Sequence, residues 1–326
     1  MNRIIANAAK LATCGAFVLG MSAVWASASG AVLAYAANQR DGTVSVIDTA
    51  KDTVVRTLPA QGKLGDKIQA VVVVPGSRNI YVVDAAGDDL LAVNSMSGKI
   101  EKRIRVGKAP EGASLSPSRK TIAVCVEESN EVTLVDVASE KVVKKIHTQG
   151  QNPEHCSFSP DGRWLMTSNE NSNNVDIIDL KLDKSVALVP TSGHPRGIAW
   201  LPHKPFAYVV QETAGGADIV DVPKHKVIDT IHTGVRPAGA IMGLRGKYVF
   251  ISDGGSANVA AIDLKTHKIA GTVPVGHRPW NMALTPDGKK LYVANGRSNS
   301  VSVIDAVKLK HIKDIPVGKL PWGVTI

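Results

Sequence analysis

The sequence predicts an all-β protein folded as a seven-bladed β-propeller, and the first observation behind this prediction is an internal repeat. A run of apolar residues that ends in Asp or Asn recurs seven times, at intervals of 42 to 46 residues. The repeated run ends at Asp48, Asn94, Asp136, Asp179, Asp221, Asp263 and Asp305. A period of this length is typical of propeller blades, each of which is a four-stranded sheet.

The second observation is that each repeat holds four short β-rich segments. In the last complete repeat these segments are residues 280–285, 291–295, 301–304 and 311–317. Runs rich in Val, Ile and Tyr that are bounded by Gly, Pro, Asn and Asp predict the strands of an antiparallel meander. Pro286-Asp287-Gly288 between the first two segments predicts a hairpin turn, because Pro presets φ and Gly accepts a positive φ.

The third observation concerns closure of the ring. Residues 33–38 match the second strand of a repeat, whereas residues 321–326 match a first strand that has no other strand after it. We therefore expect residues 321–326 to form the innermost strand of the blade that begins with residues 33–38. Closure of this kind removes the exposed sheet edges to which other chains could add.

The carboxylate that ends each repeated run predicts a turn rather than a catalytic site. Asn94 replaces Asp in the second repeat. Both side chains can accept hydrogen bonds from the backbone of the following turn, whereas only Asp can act as an acid or a base. The substitution therefore favours the structural role.

The first 28 residues have the order of a secretory signal peptide. Arg3 and Lys10 precede an apolar run over residues 11–26, and Ala26-Ser27-Ala28 resembles a cleavage site. A lipoprotein-like cysteine at Cys14 is the weaker alternative. We expect residues 29–326 to be the mature propeller, exported to the periplasm.

Composition narrows the functional classes. Removing Arg3 and Lys10 leaves 36 basic and 29 acidic residues, or a net charge of about +7. These basic residues are scattered, so we expect no nucleic-acid partner, and no later apolar run reaches the length of a membrane span. We expect a monomer.

Cys125 and Cys156 lie outside the signal peptide and predict either one disulfide or two buried thiols. Neither cysteine is part of a C-x-x-C or C-x-x-C-H motif, which disfavours a thioredoxin-like redox pair and covalent haem attachment.

The repeats resemble a known group of proteins. Leu291-Tyr292-Val293-Ala294-Asn295, with the V-x-V-I-D and S-P-D-G elements, resembles the YVTN-type propeller repeat of bacterial surface and periplasmic proteins. Residues 110–112, 153–154, 194–196, 278–280 and 315–324 are similar to the propeller proteins associated with PQQ-dependent catabolism. The resemblance covers the predicted mature chain and implies a setting beside periplasmic quinoprotein oxidation, without a particular reaction. Residues 234–246 depart from the pattern because they lack the S-P-D-G turn.

A ligand site is expected at one end of the central channel. There, the loops that precede the innermost strands meet the loops between second and third strands, and loops held by rigid blades commonly carry binding residues. Aligning the repeats after the strand-initial proline gives a ring of residues: Trp322, Gln69, Glu111, Glu154, Arg196, Ala238 and Trp280. We call this ring the channel mouth. His155 lies in the next position inward.

We predict that Trp280, Trp322, Glu111, Glu154, Arg196, Gln69 and His155 bind a ligand. The two tryptophans are expected to form an exposed aromatic wall opposite the acidic side, and such walls favour flat or cationic ligands. The alternative is that Glu111, Glu154 and Arg196 form a charge network that closes a water-filled channel.

The leading functional hypothesis is a non-enzymatic propeller that binds a small molecule or a periplasmic redox enzyme at the channel mouth. A metal-dependent or lactonase-like hydrolase would draw its ligands from Glu111, His155, Asn169 and Asp253, although their spacing matches no recognised metal motif. A handler of haem d1 or quinone would use His155, His194 and His277. No G-x-S-x-G element supports a serine hydrolase. The residues identify no particular cofactor.

Overall fold

The computed structural model describes residues 32–243 and 246–326, and this part of the chain forms seven four-stranded antiparallel sheets without an α-helix. Blade 1 contains β28 (Pro321–Thr325), β1 (Leu33–Asn38), β2 (Thr43–Asp48) and β3 (Thr53–Leu58). Blade 2 contains β4 (Ile68–Val73), β5 (Asn79–Asp84), β6 (Asp89–Asn94) and β7 (Ile100–Arg105). Blade 3 contains β8 (Pro110–Leu115), β9 (Thr121–Val126), β10 (Glu131–Asp136) and β11 (Lys141–His147). Blade 4 contains β12 (Pro153–Phe158), β13 (Trp164–Asn169), β14 (Asn174–Asp179) and β15 (Lys184–Pro190).

The remaining blades repeat this pattern. Blade 5 contains β16 (Pro195–Trp200), β17 (Phe206–Gln211), β18 (Gly216–Asp221) and β19 (Lys226–His232). Blade 6 contains β20 (Pro237–Met242), β21 (Tyr248–Asp253), β22 (Asn258–Asp263) and β23 (Lys268–Pro274). Blade 7 contains β24 (Pro279–Leu284), β25 (Lys290–Asn295), β26 (Ser300–Asp305) and β27 (Lys310–Pro316). The prediction of a seven-bladed propeller is confirmed.

Ring closure follows the predicted pairing. The sheet of blade 1 has the order β28-β1-β2-β3, and β28 runs antiparallel to β1, with Gly323 opposite Ala37. The inner strand of blade 1 therefore comes from the other end of the chain. The predicted signal peptide, residues 1–28, lies outside the described residues. Among the described residues, no helix is long and apolar enough to span a membrane.

The core lies within and between the blades. The second and third strands of each blade are almost wholly buried, as β5 and β6 are, whereas the fourth strands carry many exposed side chains. Three fully buried tyrosines occupy the same second-strand position and reach the next blade through their hydroxyls. The Tyr81 hydroxyl lies 3.2 Å from Glu140 Oε1, and the Tyr208 hydroxyl lies 3.2 Å from His267 Nδ1. Tyr292 donates to Asp52 of blade 1, which ties the last blade to the first.

The residues that end the third strands hold turns, as predicted. Asp263 Oδ1 accepts hydrogen bonds of 2.9 Å from the backbone N–H groups of Lys265 and Thr266. Asn94 Oδ1 accepts equivalent bonds of 3.1 and 3.0 Å from Met96 and Ser97. Because an amide and a carboxylate make the same bonds, this position requires an acceptor and not an acid.

Candidate functional site

The backbone at the channel mouth repeats in all seven blades. The N–H group of the residue after the second strand donates to the carbonyl of the residue before the inner strand, as in Glu212 to His194 (3.0 Å) and Gly296 to Arg278 (3.0 Å). The residue before each strand-initial proline has a positive φ, which is 53° at His194 and 55° at Arg278. Leu320 adopts the same conformation, so this geometry belongs to the scaffold. Because this backbone is shared, the chemistry at the mouth differs between blades only through their side chains.

A β-bulge places the predicted site residues in every blade. In blade 4, Pro153 pairs with Asn169 and His155 pairs with Ser168, which leaves Glu154 without a partner in the ladder. In blade 7, Pro279 pairs with Asn295 and Met282 with Val293, so Trp280 and Asn281 face a single residue. Bulges turn side chains away from the regular pleat. The residues aligned from the sequence therefore share one structural position around the channel mouth.

Charged side chains from blades 4 to 7 form one network, which we call the arginine–glutamate cluster: Glu154, Glu170, His194, Arg196, Glu212, Arg236 and Arg278. The Arg196 guanidinium contacts Glu154, and its Nη1 lies 2.7 Å from Glu170 Oε1 and 3.0 Å from Glu212 Oε2. Glu154 is 1% exposed. Burial raises the pKa of Glu154, and the neighbouring Arg196 charge opposes that rise.

Glu212 is the centre of the cluster because three arginines converge on it. Besides Arg196, Arg236 Nη2 lies 2.7 Å and Arg278 Nη2 lies 2.8 Å from Glu212 Oε1. Burial alone would raise the pKa of Glu212, but the three positive charges hold it below its ordinary value. His194 Nε2 adds a contact of 2.9 Å to Glu170 Oε1.

A second acidic group lies in blade 3. Trp322 Nε1 donates a 3.1 Å hydrogen bond to Glu111 Oε1. Burial and the hydrogen bond and charge of Glu111 raise the pKa of Glu127 to about 9. Burial alone would raise the pKa of Glu111, but the hydrogen bond from Glu127 and the charge of Lys67 hold this pKa below its ordinary value. At neutral pH, Glu127 therefore carries a proton that it donates to the Glu111 carboxylate.

The channel is crossed beneath the mouth by three side chains. His155 stacks on Trp322 with ring centroids 5.5 Å apart, and its Nε2 donates to Asn281 Oδ1 at 3.3 Å. Burial, followed by the positive charge of Arg196, lowers the pKa of His155 to about 4. The imidazole is therefore neutral, and its Nδ1 is left as an acceptor. A cavity of about 180 Å³ lies along the inner strands here, with His155, Asn281 and Trp322 in its wall.

The two tryptophans have different environments, which corrects one prediction. Trp322 is 7% exposed and belongs to the core of blades 2 and 3, so it is not part of an exposed aromatic wall. Trp280 is partly exposed and lies over Gly296, where an added Cβ would come within 2.6 Å of the indole ring. Of the two tryptophans, only Trp280 is partly exposed, and it packs against the same core cluster as Trp322. Trp322 instead helps to close the channel, since its inner strand is packed between blades.

The four residues considered as metal ligands from the sequence do not form one cluster in the structure. They are Glu111, His155, Asn169 and Asp253. Asn169 Nδ2 donates to Asn174 and Asp176 within blade 4, and Asp253 accepts a 2.7 Å bond from Thr233. Among the described residues, the one group of His, Cys, Asp and Glu ligands close enough to share an ion is Glu170, His194 and Glu212. The Arg196 guanidinium already bonds both of these carboxylates, so a metal ion would compete with Arg196 for them.

Most of the predicted site residues hold a buried polar atom without a hydrogen-bond partner. Fourteen such side-chain atoms occur among the described residues, and five belong to predicted site residues. The five atoms are Gln69 Oε1, Glu154 Oε2, His155 Nδ1, Arg196 Nε and Trp280 Nε1. Because a buried donor or acceptor without a partner costs free energy, these atoms are suited to bonds with a ligand or with ordered water.

The cysteines lie in one apolar cluster between blades 3 and 4, as their repeat positions indicated. Cys125 and Cys156 are both buried and are free thiols in the structure. Burial and the adjacent Cys156 raise the pKa of the Cys125 thiol. The structure therefore places them as core residues rather than as a disulfide.

Five charged residues of the mouth were absent from the predicted set: Glu127, Glu170, Glu212, Arg236 and Arg278. Glu127 follows the second strand of blade 3 as Glu170 and Glu212 follow theirs, so the repeat alignment contained its signal. Arg236 and Arg278 stand before the inner-strand prolines, in the same position as His194. The sequence did not show that Gly254 would leave room for Arg278, whose Nη1 lies 2.5 Å from the position of an added Cβ there.

Two propeller families match parts of the sequence. The YNCE-like beta-propeller family matches residues 69–205, and the family described as lactonase, 7-bladed beta-propeller, matches residues 179–310. Each match covers less than half of the chain. No curated protein matches the chain.

Solved structures share the fold. A chain of hydrazine synthase from Kuenenia stuttgartiensis is 20% identical with a TM-score of 0.70, over 78% of this chain and 88% of that chain. A functionally unknown protein from Desulfotomaculum acetoxidans is 13% identical with a TM-score of 0.74, over 90% of this chain and 98% of that chain. At these identities the likeness concerns the fold alone. The chain is thus a seven-bladed β-propeller that is similar to the YNCE-like propellers over residues 69–205 and to the lactonase propellers over residues 179–310.

Proposed function

We propose that this chain is a non-enzymatic binding propeller of the periplasm, which holds a small molecule or a partner enzyme of PQQ-dependent oxidation at its channel mouth. The observation that carries this proposal is that five of the seven predicted site residues hold an unpartnered buried polar atom. Site residues that await a ligand retain such atoms, whereas a network with only a structural role would be expected to satisfy them.

The chemistry of the mouth supports binding rather than turnover. Arg196 is held between three carboxylates, and the neutral His155 is fixed by Trp322 and Asn281. A nucleophile activated by an adjacent base would need a hydroxyl or thiol beside such an imidazole. The side chains that contact the His155 ring instead carry an amide (Asn281), an indole (Trp322) and a carboxyl group (Glu154). This arrangement orients polar groups, and among the described residues no hydroxyl or thiol forms a hydrogen bond with the His155 imidazole.

The proposal is tested with PQQ, which is a flat quinone that carries carboxylates. Protein purified from the periplasm of its native host, together with calorimetric titration of PQQ and of the purified quinoprotein dehydrogenase, gives the readout. We expect one of these components to bind at one site per chain. Absence of heat with both, and absence of any copurified component, would contradict the proposed function.

A lactonase-like hydrolase is the second candidate, favoured by the family match over residues 179–310 and by the Glu170, His194 and Glu212 group. Metal analysis of the purified protein and a lactone hydrolysis assay separate the candidates. Stoichiometric metal with a turnover that a chelator abolishes would establish the hydrolase and overturn the binding proposal. An absorption spectrum of the same sample tests the alternative in which the propeller carries haem d1.

A further inference from the structure

The charges at the mouth are divided between its two sides. Blades 3 to 5 supply the carboxylates, which are Glu111, Glu127, Glu154, Glu170 and Glu212. Blades 6 and 7 supply the cations Arg236 and Arg278, which precede the inner strands, and Arg297, which lies two residues after the second strand of blade 7. Where blades 4 and 5 have Glu170 and Glu212 after the second strand, blades 6 and 7 have Gly254 and Gly296. The mouth is therefore acidic on one side and basic on the other.

A cavity lies on the basic side. Its volume is about 390 Å³, and its walls include Arg236, Arg278, Arg297 and His277 together with Gly254 and Gly255. This volume lies in the range of small-ligand pockets. No carboxylate of the described residues lines the cavity.

The cations at this cavity exceed the anions that pair with them. Arg236 and Arg278 share the single carboxylate of Glu212, which also serves Arg196. Arg297 is exposed and forms no ion pair with any residue that the structure describes. Three guanidinium groups thus surround the cavity, and the carboxylate that pairs with two of them, Glu212, is also shared with Arg196. This leaves positive charge that an anion would neutralise.

The environment of Arg278 also favours a bound anion. Its side chain is 10% exposed, so its charge is held away from water. Burial lowers the pKa of Arg278, and the positive charges of Arg236 and Arg196 add to that effect against the opposing charge of Glu212. A bound anion would relieve both the desolvation and the like-charge repulsion.

An aromatic ring lies over the residue next to one wall of the cavity. The Trp280 indole lies over Gly296, which is the residue before Arg297, and its Nε1 has no partner among the described residues. Guanidinium groups bind carboxylates through two parallel hydrogen bonds, and an indole face favours flat ligands. A ligand with both features would contact the cavity and the ring at once.

We propose that the cavity bounded by Arg236, Arg278 and Arg297 binds the carboxylates of a planar organic anion whose flat face contacts Trp280. This inference rests on the proposed function in that it names the ligand class of the same mouth. The acidic side of the mouth would receive the neutral or donor end of such a ligand. The charges would orient the bound ligand, because its carboxylates are attracted to blades 6 and 7 and repelled by blades 3 to 5.

The test is a calorimetric titration of the mature protein with benzenetricarboxylate, its uncharged triamide and inorganic phosphate. We expect benzenetricarboxylate to bind more tightly than either comparison compound, and to bind more weakly as ionic strength rises. Phosphate that binds as tightly as benzenetricarboxylate would overturn the assignment of a planar ligand. Equal binding of the triamide would overturn the anion site.

Variants locate the binding. Loss of one charged hydrogen-bond donor should weaken benzenetricarboxylate binding about tenfold in Arg278→Ala and in Arg297→Ala. Lys319→Ala is the matched control, because Lys319 is an exposed cation in the corresponding loop of blade 1 and does not line the cavity. Since Arg278→Ala also removes a partner of Glu212, Arg297→Ala keeps the test independent of folding. Unchanged binding in Arg297→Ala, or an equal loss in Lys319→Ala, would contradict the proposal.

The two proposals fail separately. Binding of benzenetricarboxylate at this cavity without binding of PQQ or the dehydrogenase would overturn the proposed function alone. Binding of PQQ that is insensitive to Arg297→Ala and Arg278→Ala would overturn the anion cavity alone.

Discussion

At the scale of single residues, one backbone position carries very different chemistry around the ring. The bulge that orients Glu154 also orients Arg196, Trp280 and Trp322, because each follows the first residue of an inner strand. The sequence could predict that these residues surround the channel, since the repeat alignment places them in one column. It could not predict that Trp322 would be buried, because this depends on the contacts of neighbouring blades.

The paired carboxyl groups of blade 3 give a prediction for pH dependence. Glu127 has a native pKa of about 9 and an ordinary value of 4.5, so between these values the native state holds a proton that the unfolded chain has released. Stability should therefore fall as pH rises through this window, and Glu111, whose pKa is lowered, acts only at the acidic end. Glu127→Gln keeps a donor for Glu111 without a titrating proton, so we expect it to flatten the decline measured by urea unfolding.

Glu128→Gln is the control for this experiment, since Glu128 is the exposed neighbour of Glu127. The control should reproduce the wild-type dependence of unfolding free energy on pH. A Glu127→Gln variant with the same slope as the wild type would show that the pair does not share its proton as described.

At the scale of strands and turns, the repeat accounts for most of the structural features that the sequence predicts. The strand order, the third-strand turn and the pairing of β28 with β1 all follow from the spacing of apolar runs and turn residues. The tyrosine contacts between blades did not follow from it. Tyrosine occupies this second-strand position in four of the seven repeats. The partners of Tyr81, Tyr208 and Tyr292, which are Glu140, His267 and Asp52, become neighbours only once the blades are packed.

The turn at Asp263 provides a test at this scale. Asp263→Ala removes the acceptor of two backbone N–H groups, so the hairpin between β22 and β23 should lose stability. Asp263→Asn should unfold close to the wild-type temperature, because Asn94 makes the same bonds in blade 2. Thermal unfolding followed by circular dichroism compares the two variants. Equal destabilisation by both substitutions would mean that the negative charge, and not the acceptor geometry, is required.

At the scale of the whole molecule, ring closure makes the final strand essential to the fold. β28 pairs with β1 and buries Trp322 and Val324, so a chain that ends at Leu320 would expose a strand edge and open the channel. We expect this truncation to lower the melting temperature sharply or to prevent folding, whereas removal of Ile326 alone should have a small effect. A truncated chain that melts within about two degrees of the full chain would contradict the closure, since in a domain of this size 1 kcal/mol already shifts the melting temperature by a few degrees.

The prediction of the fold was more complete than that of the site for a reason that applies to the molecule as a whole. Repetition gives seven independent readings of one blade, and the strands must alternate in the same way in each. The mouth has no repetition, because its seven positions carry different side chains whose contacts cross between blades. Arg196, for example, joins carboxylates from blades 4 and 5 that are 58 residues apart in the sequence, Glu154 and Glu212.

The central claim, that the channel mouth binds a ligand on a rigid scaffold, is tested most directly by substituting Trp280. Trp280→Ala should abolish or strongly weaken the binding of PQQ or the partner enzyme while the melting temperature stays close to that of the wild type, since the indole is partly exposed and lies on a glycine. Trp164→Ala, which removes a tryptophan at the start of a second strand, on the opposite face, is the matched control and should bind normally. A Trp280→Ala protein that loses several kcal/mol of stability but retains binding would identify Trp280 as a structural plug and contradict the account.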